Sequence, residues 1–211
     1  MRSTIIRRER SAAMSGSSVT TRRILCGAMK SLMEERPFST ISVKNICERC
    51  DINRKSFYYH YHDKFDLVNS IYNAEFYDAA CEKKYDSIWE FFADLAEYLN
   101  TNRKFYRNAF NVEGQNSFSE CFCDSLSPLL KSYLEQTGCS KSELKKLTQY
   151  ACIMISAATQ FWLCDKTPQS PREFAFSLKM LLDQQQNEVS SRLKDYTIGS
   201  GMGISANVYN R

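Results

Sequence analysis

Glycine, proline and histidine are scarce in this chain: seven, four and two among 211 residues. Between residues 28 and 198 the only glycines are Gly114 and Gly138. That leaves no glycine-rich phosphate loop, no G-x-S-x-G nucleophile turn and no run of hairpin turns between strands. With His60 and His62 as the only histidines, there is no His-Glu-x-x-His metal pair either. The carboxylates are spread over helical faces that read as solvated, so no catalytic constellation emerges and an enzyme is not expected. No segment reaches the ~18 consecutive apolar residues of a membrane span, and no membrane partner is expected. The basic N-terminus has no apolar run behind it, so it does not read as a secretory signal. Nine cysteines, an odd number scattered through helical patterns, point to reduced thiols and a cytoplasmic setting. Cys47-x-x-Cys50 has no second pair at zinc-ribbon spacing, so it reads as helix packing, and neither metal nor cofactor is expected.

What is present is helix punctuation. Ser-x-x-Glu capping boxes occur at Ser87/Glu90, Ser117/Glu120, Ser140/Glu143 and Ser170/Glu173, the last with Pro171 at the first helical position. The chain therefore reads as all-α, with helices over about 20–36, 64–82, 87–100, 103–111, 117–136 (interrupted near Pro128), 140–165 and 171–194. In the first of these, Ile24, Ala28 and Leu32 set a register, with Leu25, Met29 and Met33 beside it. Charge is uneven. Residues 1–67 hold 13 Lys/Arg against 7 Asp/Glu, whereas residues 68–211 hold 15 against 17. A basic first third on a mildly acidic remainder suggests that only the first part meets a polyanion.

The stretch from Ile41 to Val68 carries the most information. Ser42 is placed to cap a helix on which Val43, Ile46, Cys47 and Cys50 share one face. Asp51 tolerates the left-handed backbone of a helix exit, Ile52 plugs inward, and Asn53 can cap a second helix. Phe57 and Tyr61 would face the first helix and leave Arg54, Lys55, Ser56, Tyr58, Tyr59 and His60 outward. That is helix-turn-helix geometry. Arg54 and Lys55 can donate to guanine O6 and N7, and Ser56 can bond base edges. Ser42, Tyr58, Tyr59, His60 and Lys64 suit phosphate contacts. Asn53, at the start of the second helix, completes the candidate DNA-binding set. Arg2, Arg7, Arg8 and Arg10 form a candidate basic arm for an adjacent minor groove.

These residues resemble the DNA-binding domain of the TetR family of transcriptional regulators. Ser42-Val43-Lys44-Asn45-Ile46 is similar to that family's T-V-x-x-I. Phe57-Tyr58-Tyr59-His60-Tyr61-x-Asp63-Lys64-x-x-Leu67 is similar to its F-Y-x-H-F-x-(D/N)-K-x-x-L. Asp51 stands where a turn glycine is usual and Lys55 where a recognition-helix glycine is common, while Cys47 and Cys50 occupy positions the family usually gives to alanine. The resemblance implies a three-helix helix-turn-helix domain over 20–66; residues 1–19 before it read, from their composition, as a flexible basic arm or a terminus without a role in binding. A helical effector-binding and dimerisation domain would follow over 67–194, and the glycine-rich stretch over 195–211 reads as a disordered tail. It assigns Ser42, Tyr58, His60 and Lys64 to phosphates and residues 54–56 with Tyr59 to bases.

The second domain is dense in aromatics, and in the family such a domain often encloses a small-molecule pocket. Candidate lining residues are Phe91, Tyr106, Phe110, Phe122, Phe161 and Trp162. The helix over 140–165 is apolar nearly all round yet too short for a bilayer, so it needs neighbours on several sides. In the family the last two long helices pair with their copies in a four-helix dimer bundle, and Ser156, Ala157 and Ala158 would allow close approach. The C-terminal half, with Trp162 near one helix end and Ser-Pro-x-Glu opening the next, is similar to regulators of the dihydroxyacetone-kinase type, some of which act through a protein partner. The expectation is a homodimeric repressor on a palindromic operator in double-stranded DNA, released by an unknown small-molecule effector. The alternative is an activator or co-regulator whose C-terminal domain binds a partner protein. A third possibility is a helical adaptor that keeps the motif for packing alone.

Overall fold

The computed structural model describes the backbone at residues 2–112, 117–137 and 140–183, with side chains from residue 18 onward. The expected tail over 195–211, residues 184–194, and both Gly114 and Gly138 lie outside the described residues. Every regular element among the described residues is helical.

Helix α1 spans Arg2–Glu35 and so includes residues 2–19, which the sequence suggested as an arm; no proline interrupts them. Its buried stripe is Leu25, Ala28, Met29, Leu32 and Met33, whereas Ile24 lies exposed, one position off the expected register. The helix stops before Pro37, whose extended backbone (φ −60°, ψ 142°) opens a 3-10 turn over Phe38–Thr40. Helix α2 (Val43–Arg49) follows a complete capping box. The Ser42 hydroxyl accepts from the Asn45 N–H, and the Asn45 side chain accepts from the Ser42 N–H. Such caps stabilise a helix by about 1 kcal/mol. Asp51, at φ 53°, takes the left-handed exit expected of it.

Helix α3 (Arg54–His60) is capped by Asn53, which accepts from the Ser56 N–H at 2.8 Å. Phe57 and Tyr61 are buried, as the four-residue spacing requires, and their rings meet at 5.8 Å. Removing each such side chain from water contributes roughly 1.5–3 kcal/mol. Helix α4 (Lys64–Tyr72) is capped by Asp63. It continues through one π-helical turn, Asn73–Tyr77, into α5 (Asp78–Glu82). Helices α6 (Ile88–Thr101), α7 (Arg103–Phe110), α8 (Phe118–Leu134), α9 (Lys141–Cys164) and α10 (residues 171–183) complete the described chain. Pro128 does not interrupt α8. Asp124 and Pro128 both lie exposed, so the carbonyl that loses its donor can be hydrated.

The chain divides into two compact units, Met1–Lys84 with Tyr98–Phe122 and Tyr85–Glu97 with Cys123–Arg211. The first has a core of packed rings. Tyr72, Tyr106, Phe110, Phe118 and Phe122 are buried, with neighbouring centroids 4.8 to 6.4 Å apart. Beside them Lys30 donates to Glu75 at 2.7 Å, Glu75 accepts from the Tyr98 hydroxyl at 3.0 Å, and the Tyr98 and Tyr106 hydroxyls lie 2.6 Å apart. The second unit packs Trp89 against Phe92 and Tyr133. It also stacks Trp162 flat on Phe174 at 4.3 Å, with the Trp162 indole N–H donating to the Gln169 carbonyl.

Candidate nucleic-acid interface

Three short helices, α2, α3 and α4, place the candidate residues. Burial of Phe57 and Tyr61 fixes the rotation of α3 and turns its other side to solvent. Arg54, Lys55, Tyr58 and Tyr59 are exposed there, with Ser56 at the margin. Tyr59 is 77% exposed. Arg54 lies over the Tyr58 ring and reaches its hydroxyl at 3.5 Å, an arrangement that holds the guanidinium upright beside the ring. Asn53 is exposed, but its side-chain oxygen is engaged in the cap.

His60 differs from its neighbours. Its Nδ1 is buried without a hydrogen-bond partner, and its ring lies against Tyr59 and Tyr61. Burial, then the nearby Arg22 charge, holds its proton affinity below the ordinary histidine range, so the neutral imidazole is favoured. Arg22 is exposed on α1. It adds a cation beside α3 that sequence reading left without a role, because only the fold brings residues 22 and 60 together.

Ser42 is exposed at the start of α2, its hydroxyl donating to Asn45 Oδ1 at 2.8 Å. Lys64 is placed differently from the others. Its ammonium is half-buried and donates to the Phe38 carbonyl at 2.9 Å and the Ile41 carbonyl at 2.7 Å, 4.2 Å from the centre of the Phe38 ring. Burial lowers its pKa below the usual lysine value. Cys47 is buried and Cys50 half-buried, the latter thiol donating to the Ile46 carbonyl at 3.1 Å; burial pushes both thiols up in pKa.

The six candidate pocket residues are divided between the two units. Tyr106, Phe110 and Phe122 belong to the packed core of the first unit, while Phe91 and Trp162 are buried in the second. Phe161 is 76% exposed, because α9 turns Leu144, Ala151, Ile155, Trp162 and Leu163 inward and leaves residue 161 on the opposite side. None of the six lines the two voids found in the first unit. One is a small space of about 10 Å³ beside Phe38 and Phe65, room for a water at most. The other is an open groove of about 500 Å³ between residues 33–39 and α7, lined in part by Arg36, Lys104, Arg107 and Asn108.

No helix among the described residues is long and apolar enough to cross a membrane. Sequence comparison matches residues 24–71 to the family described as bacterial regulatory proteins, tetR family. Residues 86–184 match a transcriptional regulator C-terminal region. The HTH-type dhaKLM operon transcriptional activator DhaS of Lactococcus lactis subsp. lactis (strain IL1403) is 27% identical over 97 residues, 46% of this chain and 52% of that protein. The match thus spans about half the length of the curated relative. Among solved structures, the dihydroxyacetone kinase operon activator DhaS matches with TM-score 0.59 at 22% identity, over 80% of this chain and 97% of that one. A TetR transcriptional regulator from Streptococcus agalactiae 2603V matches with TM-score 0.63 at 16% identity, over 81% and 98%. With a helix-turn-helix whose recognition face is open and two family matches that together cover more than half its length, the chain belongs to the TetR family of DNA-binding transcriptional regulators, which are transcription factors rather than enzymes.

Proposed function

We propose that this regulator works as a homodimer on a palindromic operator, with α3 of each copy in a major groove. The observation that carries the reading is the exposed face of Arg54, Lys55, Ser56, Tyr58 and Tyr59, held outward by buried Phe57 and Tyr61. Arg54 and Lys55 read guanine edges, Ser56 a neighbouring base, and Ser42, Tyr58, Tyr59 and the free edge of His60 meet phosphates. Dimerisation rests on a second exposed surface. Tyr150, Ile153, Ala157 and Phe161 follow one another along α9 at spacings of three and four, all exposed. Phe176, Met180 and Leu181 form a similar exposed group on α10. Isolated exposed apolar residues need no explanation, but a stripe over about three turns does. Its seam is centred on Ala157, with Ser156 turned into the core.

The packed aromatic core favours control through a partner protein over release by a small molecule, and with it activation, the role named for DhaS in Lactococcus lactis. The test is selection of random DNA fragments by the purified protein, followed by a reporter driven from the enriched site. Deleting the regulator should lower transcription from that site; a rise would mark a repressor, and no enriched sequence would remove the operator reading.

A further inference from the structure

Helix α1 ends with carbonyls that have no intrahelical donor, and the chain then turns sharply into the helix-turn-helix. One side chain, seventy residues away, satisfies that end. Asn108 on α7 donates through Nδ2 to the Met33 carbonyl at 3.0 Å and the Arg36 carbonyl at 2.8 Å. Its Oδ1 accepts from the Phe38 N–H at 2.9 Å. Two donors and one acceptor of a single amide are thereby committed to the same turn. From α4, Lys64 holds the other end through the Phe38 and Ile41 carbonyls. Phe38 is consequently fixed at its N–H by Asn108 and at its carbonyl by Lys64, and its buried ring packs edge-on against Phe65 at 5.0 Å. Ser42 and α2 follow directly from Ile41.

We infer that Asn108 and Lys64 are positioning residues for operator binding: gripping the Phe38–Ile41 turn from two helices, they set the pose in which α2 and α3 meet DNA. The inference rests on the operator reading above. Neither side chain has to touch the nucleic acid, and Lys64, with its ammonium half-buried on two carbonyls, acts on DNA through the turn rather than on a phosphate. Asn108 lies within the stretch matched by the C-terminal-region family and grips one matched by the N-terminal family. A displacement of α7 would therefore be felt where the DNA-binding helices begin.

The test uses full-length protein, an operator fragment enriched by the wild type, and affinities measured at several salt concentrations. Circular dichroism and light scattering check fold and mass. Asn108→Leu removes all three hydrogen bonds, and Lys64→Met keeps the stem but not the charge. Each should weaken binding about fivefold to tenfold, the order of one or two lost hydrogen bonds. The salt slope should stay unchanged, and the double variant should bind within about twofold of the weaker single one, because both act on one turn. If Asn108→Leu fails to fold, Asn108→Asp replaces it with the same expectations. The aspartate keeps the acceptor for the Phe38 N–H but sets a carboxylate against two carbonyls. A slope reduced by about one unit in Lys64→Met would make it a phosphate contact and overturn the inference. Unchanged affinity in a folded variant, or losses that multiply in the double variant, would overturn it too. Wild type binding no fragment would remove the operator reading as well, whereas wild-type binding with insensitive variants removes this inference alone.

Discussion

The α3 and α9 helices both expose large side chains, but only the α3 face carries cations among them. On α3, Tyr58 and Tyr59 stand out beside Arg54 and Lys55; on α9, Ile153 and Phe161 stand out with no charge between them along their stripe. Exposure alone does not separate the two. The hydroxyls and cations of α3 bond phosphates and base edges without being fully desolvated. Ile153 and Phe161 gain only by leaving water altogether. The first face suits a polar, wet partner such as DNA, and the second another apolar surface such as its own copy.

The largest effect should come from charging the apolar face. Phe161→Glu places two carboxylates near a two-fold seam, and light scattering should then find monomers. Losing the second half-site should cost operator affinity on the order of 100-fold or more. A Phe161→Glu protein that stays dimeric would move the seam elsewhere. Changing the polar face should alter what is read. Lys55→Ala should shift the enriched sequence at one position, with about 1–3 kcal/mol of discrimination lost there; an unchanged sequence logo would take Lys55 off the bases. Tyr59→Phe makes the α3 face resemble that of α9 by a single atom. It should weaken binding by about 0.5–1.5 kcal/mol with melting temperature unchanged, and equal affinity would show that the exposed ring, not its hydroxyl, is what matters.

The smallest effect concerns His60 and pH. Its folded-state pKa lies below the ordinary 6.5, chiefly through burial. The unfolded chain therefore takes up the proton first. The neutral histidine's contribution is complete above about pH 6.5 and declines as pH falls below it. Urea midpoints of the wild type should drop slightly more between pH 7.5 and pH 5.5 than those of His60→Gln; parallel curves would contradict the burial argument.

Local chemistry was legible in the sequence, and distant chemistry was not. Ser42, Asn53 and Ser140 cap helices where their spacing said they would, because a cap depends on three or four neighbouring residues. At Ser87/Glu90 the box slips by one, and Glu90 accepts from the Asp86 N–H instead. Phe57 and Tyr61 face inward for the same local reason. Asn108 could not be found this way, since its partners are 70 to 75 residues distant and nothing near it marks the role. The charge of Lys64 is visible in the sequence, whereas the Phe38 and Ile41 carbonyls that engage it lie 26 and 23 residues away and are not. Phe161 was a candidate pocket residue because it sits in a continuous apolar run, and only tertiary packing decides which side of such a helix stays open. The turn over Asn73–Tyr77 carries neither glycine nor proline, so its π geometry left no mark.

A homodimer would present two α3 faces to one operator. The most direct measurement is the mass of the wild-type protein, alone and on its enriched DNA fragment, with the protected bases mapped. The expected result is two chains per fragment, over two inverted half-sites about 34–36 Å apart, or somewhat more if the DNA is deformed. A single chain bound tightly to a site without two-fold symmetry would contradict it.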